Sequence, residues 1–155
     1  MPASGALGAL GMAILAILPL PARAADLCLG SHPDGESIAR YALTDDNSFS
    51  LGFIHSVSRT PVRDLYVLRD GAILQTGEIF EAHGAGLPSL GNDLDATGFR
   101  HEEGRFILDL DRQIGEMIVR IQREFKNTLY IGSEIIPLAP LGRSALLISG
   151  CKTKE

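Results

Sequence analysis

His55-Ser56 stands close to Arg59, Thr60, Arg63 and Asp64, and Glu78 and His83 follow soon after. Imidazole, hydroxyl and carboxylate groups in one short stretch are the types used for general acid–base work, and the arginines suit a carboxylate ligand. Neighbouring residues of a strand point to opposite faces. His55 and Ser56 therefore do not serve each other as base and nucleophile, and the chain has no Gly-x-Ser-x-Gly turn. The stretch from His83 to Ser89, HGAGLPS, is a glycine-rich turn whose backbone amides, brought close by Gly84 and Gly86, could hold an anionic group. It lacks the Gly-Lys-Ser/Thr of a nucleotide loop. Glu81 and His83 supply two ligands, short of a zinc site. Neither a metal nor a cofactor is expected.

The elements around these residues read as short β-branched or aromatic runs separated by Gly, Asp, Asn and Pro. That rhythm predicts an all-β fold, a single antiparallel β-sandwich or partly open barrel of about eight or nine strands. Ile114, Met117, Ile118, Ile121 and Phe125 also fit one face of a helix. Gly115 and the surrounding β pattern favour a strand there. Asp70-Gly71 marks a two-residue hairpin, which sets Arg69 against Ala72 and, carried along the strands, Arg63 against Glu78. A short loop at Ser58-Arg59-Thr60 then sets His55 against Arg63 and Phe53 against Leu65. On this register Phe49, Leu51, Phe53, Leu65, Val67, Leu74 and Thr76 face the core, and His55, Arg63 and Glu78 form a polar row at its end. A register that puts Asp64 beside Phe53 on the buried face is disfavoured by the cost of burying a carboxylate. His55 and His83, on the first and third strands of the meander, stand about 10 Å apart. His32 and His101 read as surface residues.

Ala6 to Leu18 is an unbroken apolar or glycine run, followed by Pro19, Pro21 and Ala22-Arg23-Ala24. This is the layout of a secretory signal peptide, too short to span a bilayer. Residues 1–24 are read as the signal, cleaved after Ala24, and 25–155 as one domain. A periplasmic or otherwise extracytoplasmic location follows. In that oxidising setting Cys28 and Cys151, which bracket the domain, are expected to form a disulfide. The net charge of −5 argues against nucleic acid and anionic membranes as partners.

Together, HSVSRTPVRDLY and HGAGLPS resemble the bacterial family known as domain of unknown function 1850. His55, Ser56, Val57, Thr60 and Pro61 match its His-Ser-Val and Thr-Pro pattern, and Gly84, Ala85, Gly86 and Pro88 match its Gly-Ala-Gly-Met-Pro-like turn. Leu87 replaces the common Met. Val62-Arg63 replaces an aromatic or acidic residue, so that Asp64 alone keeps acidic character there. The family has no established activity, and no catalytic role is carried over. The resemblance implies an exported companion of tripartite periplasmic transporters, with a TAXI-type solute-binding protein or the transporter's membrane subunits as partners.

The sequence therefore points to a non-enzymatic accessory or ligand-binding protein of a solute uptake system, with a small carboxylate as ligand. Its binding residues are His55, Ser56, Arg59, Thr60, Arg63, Asp64, Glu78, His83, Gly84 and Gly86. One alternative is a metal-assisted or His-dependent hydrolase using His55, His83 and Asp64 or Glu78. The other is a purely structural envelope protein.

Overall fold

The computed structural model describes residues 25–82 and 95–152. Residues 1–24, read above as a signal peptide, and the stretch from His83 to Ser89, with Gly84 and Gly86, lie outside them. The described residues hold eleven strands and no helix beyond two short 3-10 turns. They form two antiparallel sheets, not closed into a barrel. Strands β1 (Asp26–Ser31), β2 (Ser37–Ala42), β8 (Met117–Arg120) and β11 (Ala145–Gly150) make a four-stranded sheet in the order β2-β1-β11-β8. Strands β3 (Ser48–Ile54), β4 (Pro61–Arg69), β5 (Ala72–Phe80), β6 (Ala96–Glu102), β7 (Arg105–Gly115), β9 (Thr128–Ile131) and β10 (Glu134–Pro137) make a seven-stranded sheet in the order β10-β9-β3-β4-β5-β7-β6. The all-β sandwich expected from the sequence is the observed architecture. It has more strands than expected, because Thr128 to Leu138 folds back on itself at Gly132 and because Ala96–Glu102 is also a strand.

The sheets meet through one apolar cluster. Leu27, Leu29, Leu146 and Ile148 of the smaller sheet pack with Phe49, Leu51, Tyr66, Leu68, Ile73 and Leu129 of the larger. Apolar residues alternating along each of these strands drive that burial, each full side chain contributing about 1.5–3 kcal/mol. The segment with two readings is extended: β7 runs to Gly115, which takes φ 79°, and β8 resumes at Met117. A left-handed glycine turns the chain out of one sheet and into the other, which a continuous helix would not permit. Gly150 serves a second crossing point. A Cβ there would stand 2.6 Å from the Gly71 carbonyl oxygen, so the β4–β5 hairpin tip sits directly on β11.

That hairpin is the one expected. Asp70 and Gly71 take φ 52° and 78°, and Arg69 pairs with Ala72, Val67 with Leu74. Beyond Gln75 the register shifts at a bulge, so Leu65 pairs with Gly77, Asp64 with Glu78 and Arg63 with Ile79. Gly77 permits the bulge, since a Cβ there would approach the Leu108 carbonyl oxygen to 2.8 Å. The β3–β4 register also differs from the expected one. Phe53 pairs with Val62 and Ile54 with Pro61, so the loop spans 55–60 and His55 opposes no strand residue. The larger sheet's inner face is accordingly Phe49, Leu51 and Phe53, then Val62, Asp64, Tyr66 and Leu68, then Ile73, Gln75, Glu78 and Phe80. Leu65, Val67 and Leu74 lie on the outer face, opposite to expectation.

Cys28 and Cys151 are joined by a disulfide that ties β1 to the end of β11. A loop this long carries a large closure entropy in the unfolded chain. Replacing both cysteines by serine is expected to lower the unfolding free energy by about 2–5 kcal/mol, read as a lower urea midpoint. Equal midpoints for the two proteins would contradict that role.

Candidate functional site

The loop at 55–60 is held by its own polar groups. His55 donates its N–H to the Thr60 carbonyl (2.9 Å), and Arg59 donates to the His55 carbonyl (3.0 Å). The Nδ1 atom of His55 accepts from the backbone N–H of Ser58 at 3.2 Å and, more weakly, from that of Val57 at 3.4 Å. The Ser58 hydroxyl lies 3.2 Å from the same nitrogen and 2.8 Å from the Thr60 hydroxyl. With Nδ1 an acceptor, the proton of the neutral ring sits on Nε2. The imidazole thus acts as a local cap, as Asn or Asp does in many turns. Ser56 is exposed on the turn, and the serine that approaches His55 is Ser58. Arg59, at φ 58°, and Val57, 64% exposed, stand at the loop's surface.

The expected row of His55, Arg63 and Glu78 does not form. Arg63 pairs with Ile79 and faces outward, while Glu78 pairs with Asp64 and faces inward, so Arg63 and Glu78 lie on opposite sides of the sheet. The bulge beyond Gln75 and the longer loop are the two causes. Each face therefore carries its own polar group.

On the inner face, Asp64 and Glu78 lie side by side between Leu51 and Leu108. The next row holds Tyr66, Gln75 and Arg112. The Tyr66 hydroxyl donates to Asp64 at 3.2 Å, and Arg112 donates to Gln75 (3.0 Å) and to Asp95 (2.8 Å). Burial pushes the Asp64 carboxyl up from 3.8 to about 6, against the opposing pull of the Tyr66 hydrogen bond and of Arg112. Burial, reinforced by Asp64 and Glu78, raises the Tyr66 hydroxyl far above its ordinary range and keeps it a donor. The inward-facing carboxylate disfavoured on energetic grounds is thus present, half-buried and eased by a donor and by its readiness to take up a proton.

On the outer face, Thr128, Gly52, Arg63 and Ile79 form a row across four strands. The Tyr130 ring lies over Gly52, where a Cβ would meet its Cε2 atom at 2.9 Å. The Arg63 guanidinium stacks on that ring, 3.8 Å from its centroid. The side chains around them line a pocket of about 470 Å³ that includes Ile54, Pro61, Ile79, Glu81, Arg105 and Lys126. Lys126 is set by a left-handed turn (φ 51°), and the buried neighbour Asn127 accepts the Gln122 N–H at 3.0 Å. Arg105 begins β7 after the Glu103-Gly104 turn and pairs with exposed Glu103 at 3.2 Å. Arg63 and Lys126 form no ion pair among the described residues. A larger depression of about 720 Å³ lies at the other end of the strands, around Asp26, Arg40, Asp70, Glu116 and Lys152. Its Arg40 is already paired with Asp26, and acids outnumber bases there. The smaller pocket is therefore the better anion site. Loop 55–60 rises from its rim between Ile54 and Pro61.

Tyr130, Arg105 and Lys126 were not singled out from the sequence. The one available signal was Gly52, a glycine within a strand, which marks close approach by another group. Among the described residues no cluster of three or more His, Cys, Asp or Glu is placed to hold a metal ion, and no helix is long and apolar enough to cross a membrane.

The chain is thus an antiparallel β-sandwich whose larger sheet carries a cationic pocket on one face and a half-buried acid pair on the other. Residues 49–138, more than half the chain, match the family described as Domain of unknown function (DUF1850), and the protein belongs to that family. The match runs from β3 through β10 and so covers both polar groups. No curated protein and no solved structure matches the chain.

The Asp64 environment makes stability depend on pH. The folded chain takes up this proton near pH 6 and the unfolded chain near 3.8, so between these values the folded state binds more protons and gains stability as pH falls. The gain amounts to at most about 3 kcal/mol. Asp64→Asn is expected to be the more stable protein at pH 7.5 in urea titrations, with its advantage over the parent shrinking toward pH 4. An advantage independent of pH would contradict this.

Proposed function

We propose that this protein is an exported, non-enzymatic binding or accessory protein of a solute uptake system. Its working surface is the end of the larger sheet where loop 55–60 meets the outer-face pocket. The observation that carries the reading is the concentration of cations there. Arg63, Arg105 and Lys126 line one pocket, and Arg59 stands on the adjoining loop, in a chain whose net charge is −5. Such a local reversal of sign draws anionic groups to one place on an otherwise acidic surface.

The stiffness of the loop supports the same surface. Its hydrogen bonds fix the backbone at His55, Ser58, Arg59 and Thr60 before any ligand or partner arrives, which lowers the ordering cost of binding. The apolar leader-like run and the disulfide support export. The link to solute uptake, with a TAXI-type solute-binding protein or the transporter's membrane subunits as partner, rests on the resemblance of the two sequence motifs. The hydrolase alternative draws less support, since His55 spends Nδ1 on its own loop and the acids Asp64 and Glu78 face away from Arg63.

A panel of small solutes, covering amines, sugars, carboxylates and phosphates, tests the reading through the melting temperature of the purified protein. At least one is expected to raise it by several degrees when present well above its dissociation constant. No shift across the panel would favour a purely structural envelope protein.

A further inference from the structure

Resting on that reading, we infer that the outer-face pocket takes an organic carboxylate with a short apolar body, and that Arg63, held on Tyr130, is the residue that selects it. The geometry of the arginine is the starting point. Its guanidinium lies 3.8 Å from the Tyr130 ring centroid, and the ring in turn rests on the backbone at Gly52. Stacking occupies the face of the guanidinium and leaves its N–H groups, which project along its edge, free to donate. A carboxylate matches that fork with two parallel hydrogen bonds. The platform also removes most of the rotamer freedom that a long exposed side chain would lose on binding.

The other walls define the rest of the ligand. Ile54, Pro61 and Ile79 contribute apolar surface, which an inorganic anion would leave unused. Lys126 and Arg105 supply further positive charge, while Glu81 opposes a cationic body. At about 470 Å³ the pocket lies within the range of small-molecule sites. Gly52 has a defined part in this arrangement, since any side chain there would displace Tyr130 and with it the seat of Arg63.

Calorimetric titration with butyrate, hexanoate, succinate and adipate tests the inference, with butylamine, butanol and inorganic phosphate as comparisons. At least one carboxylate is expected to bind with unit stoichiometry and more tightly than all three comparisons. Arg63→Gln should weaken it about tenfold or more, as expected for loss of a charge-assisted pair. Arg63→Lys should restore only part, because an ammonium neither forks nor stacks equally well. Tyr130→Leu should weaken binding by releasing Arg63, and Lys126→Gln should weaken it several-fold through an exposed residue whose loss leaves the fold intact. Arg40→Gln, in the depression at the other end, should leave the affinity unchanged. Binding of amines or neutral solutes alone would overturn the carboxylate inference and leave the broader binding reading standing. Carboxylate binding indifferent to Arg63→Gln, or lost in Arg40→Gln, would overturn the site. Phosphate binding as tight as the best carboxylate would overturn the ligand class, and no stabilising solute in the wider panel would remove both readings.

Discussion

The pairing register of β3, β4 and β5 governs everything at the candidate site. Side chains alternate faces with a period of two, so a single extra residue exchanges one face for the other. The bulge opposite Leu65 and Tyr66 is such a residue. It turns Glu78 to the inner face beside Asp64, away from Arg63 on the outer face, so Arg63 and Glu78 do not pair across the strands. Without it Arg63 would oppose Glu78 and form an ordinary cross-strand ion pair. The consequence is two separate polar groups on opposite faces of the sheet, one facing solvent and one half-buried.

Separation of charge across a sheet has different effects on its two faces. The outer cations are left without close acids among the described residues: Arg63 and Lys126 form no ion pair there, and Arg105 pairs only with exposed Glu103. Asp64 sits where charge is costly, and its carboxyl is pushed up toward neutrality by burial. Tyr66, Gln75 and Arg112 supply hydrogen bonds there, so the apolar core next to them tolerates a polar edge. A pocket with uncompensated charge needs a rigid frame to keep its shape. Asn127, next to Lys126, and the self-capped loop at His55, which follows Ile54, supply it.

Much of the fold was legible in the sequence, and the reasons it was legible are local. Asp70-Gly71 specified its hairpin because few residues accept two consecutive left-handed conformations. The strand reading beyond Gly115 followed from the cost of glycine in a helix. The paired cysteines followed from their isolation at the two ends of the domain. Strand β6 was missed because Ala96–Glu102 is a polar edge strand with no buried alternation. The register was misjudged because β4 is apolar on both faces, with Leu65 and Val67 alternating against Val62, Tyr66 and Leu68, so periodicity favoured neither. The cost assigned to a buried Asp64 then tipped the choice the wrong way. Of the site, Arg63 and the loop residues could be named from sequence. Tyr130 and Lys126 could not, since only the sheet order brings β9 against β3.

The division of Arg63 from Asp64 and Glu78 is the claim on which the pocket depends, and cross-strand nuclear Overhauser contacts measure it directly. In solution, contacts between the backbones of Phe53 and Val62, of Arg63 and Ile79, and of Asp64 and Glu78 are expected. Contacts of Arg63 with both His55 and Glu78 in their place would contradict it, and would turn the cationic pocket into one end of a structural ion pair.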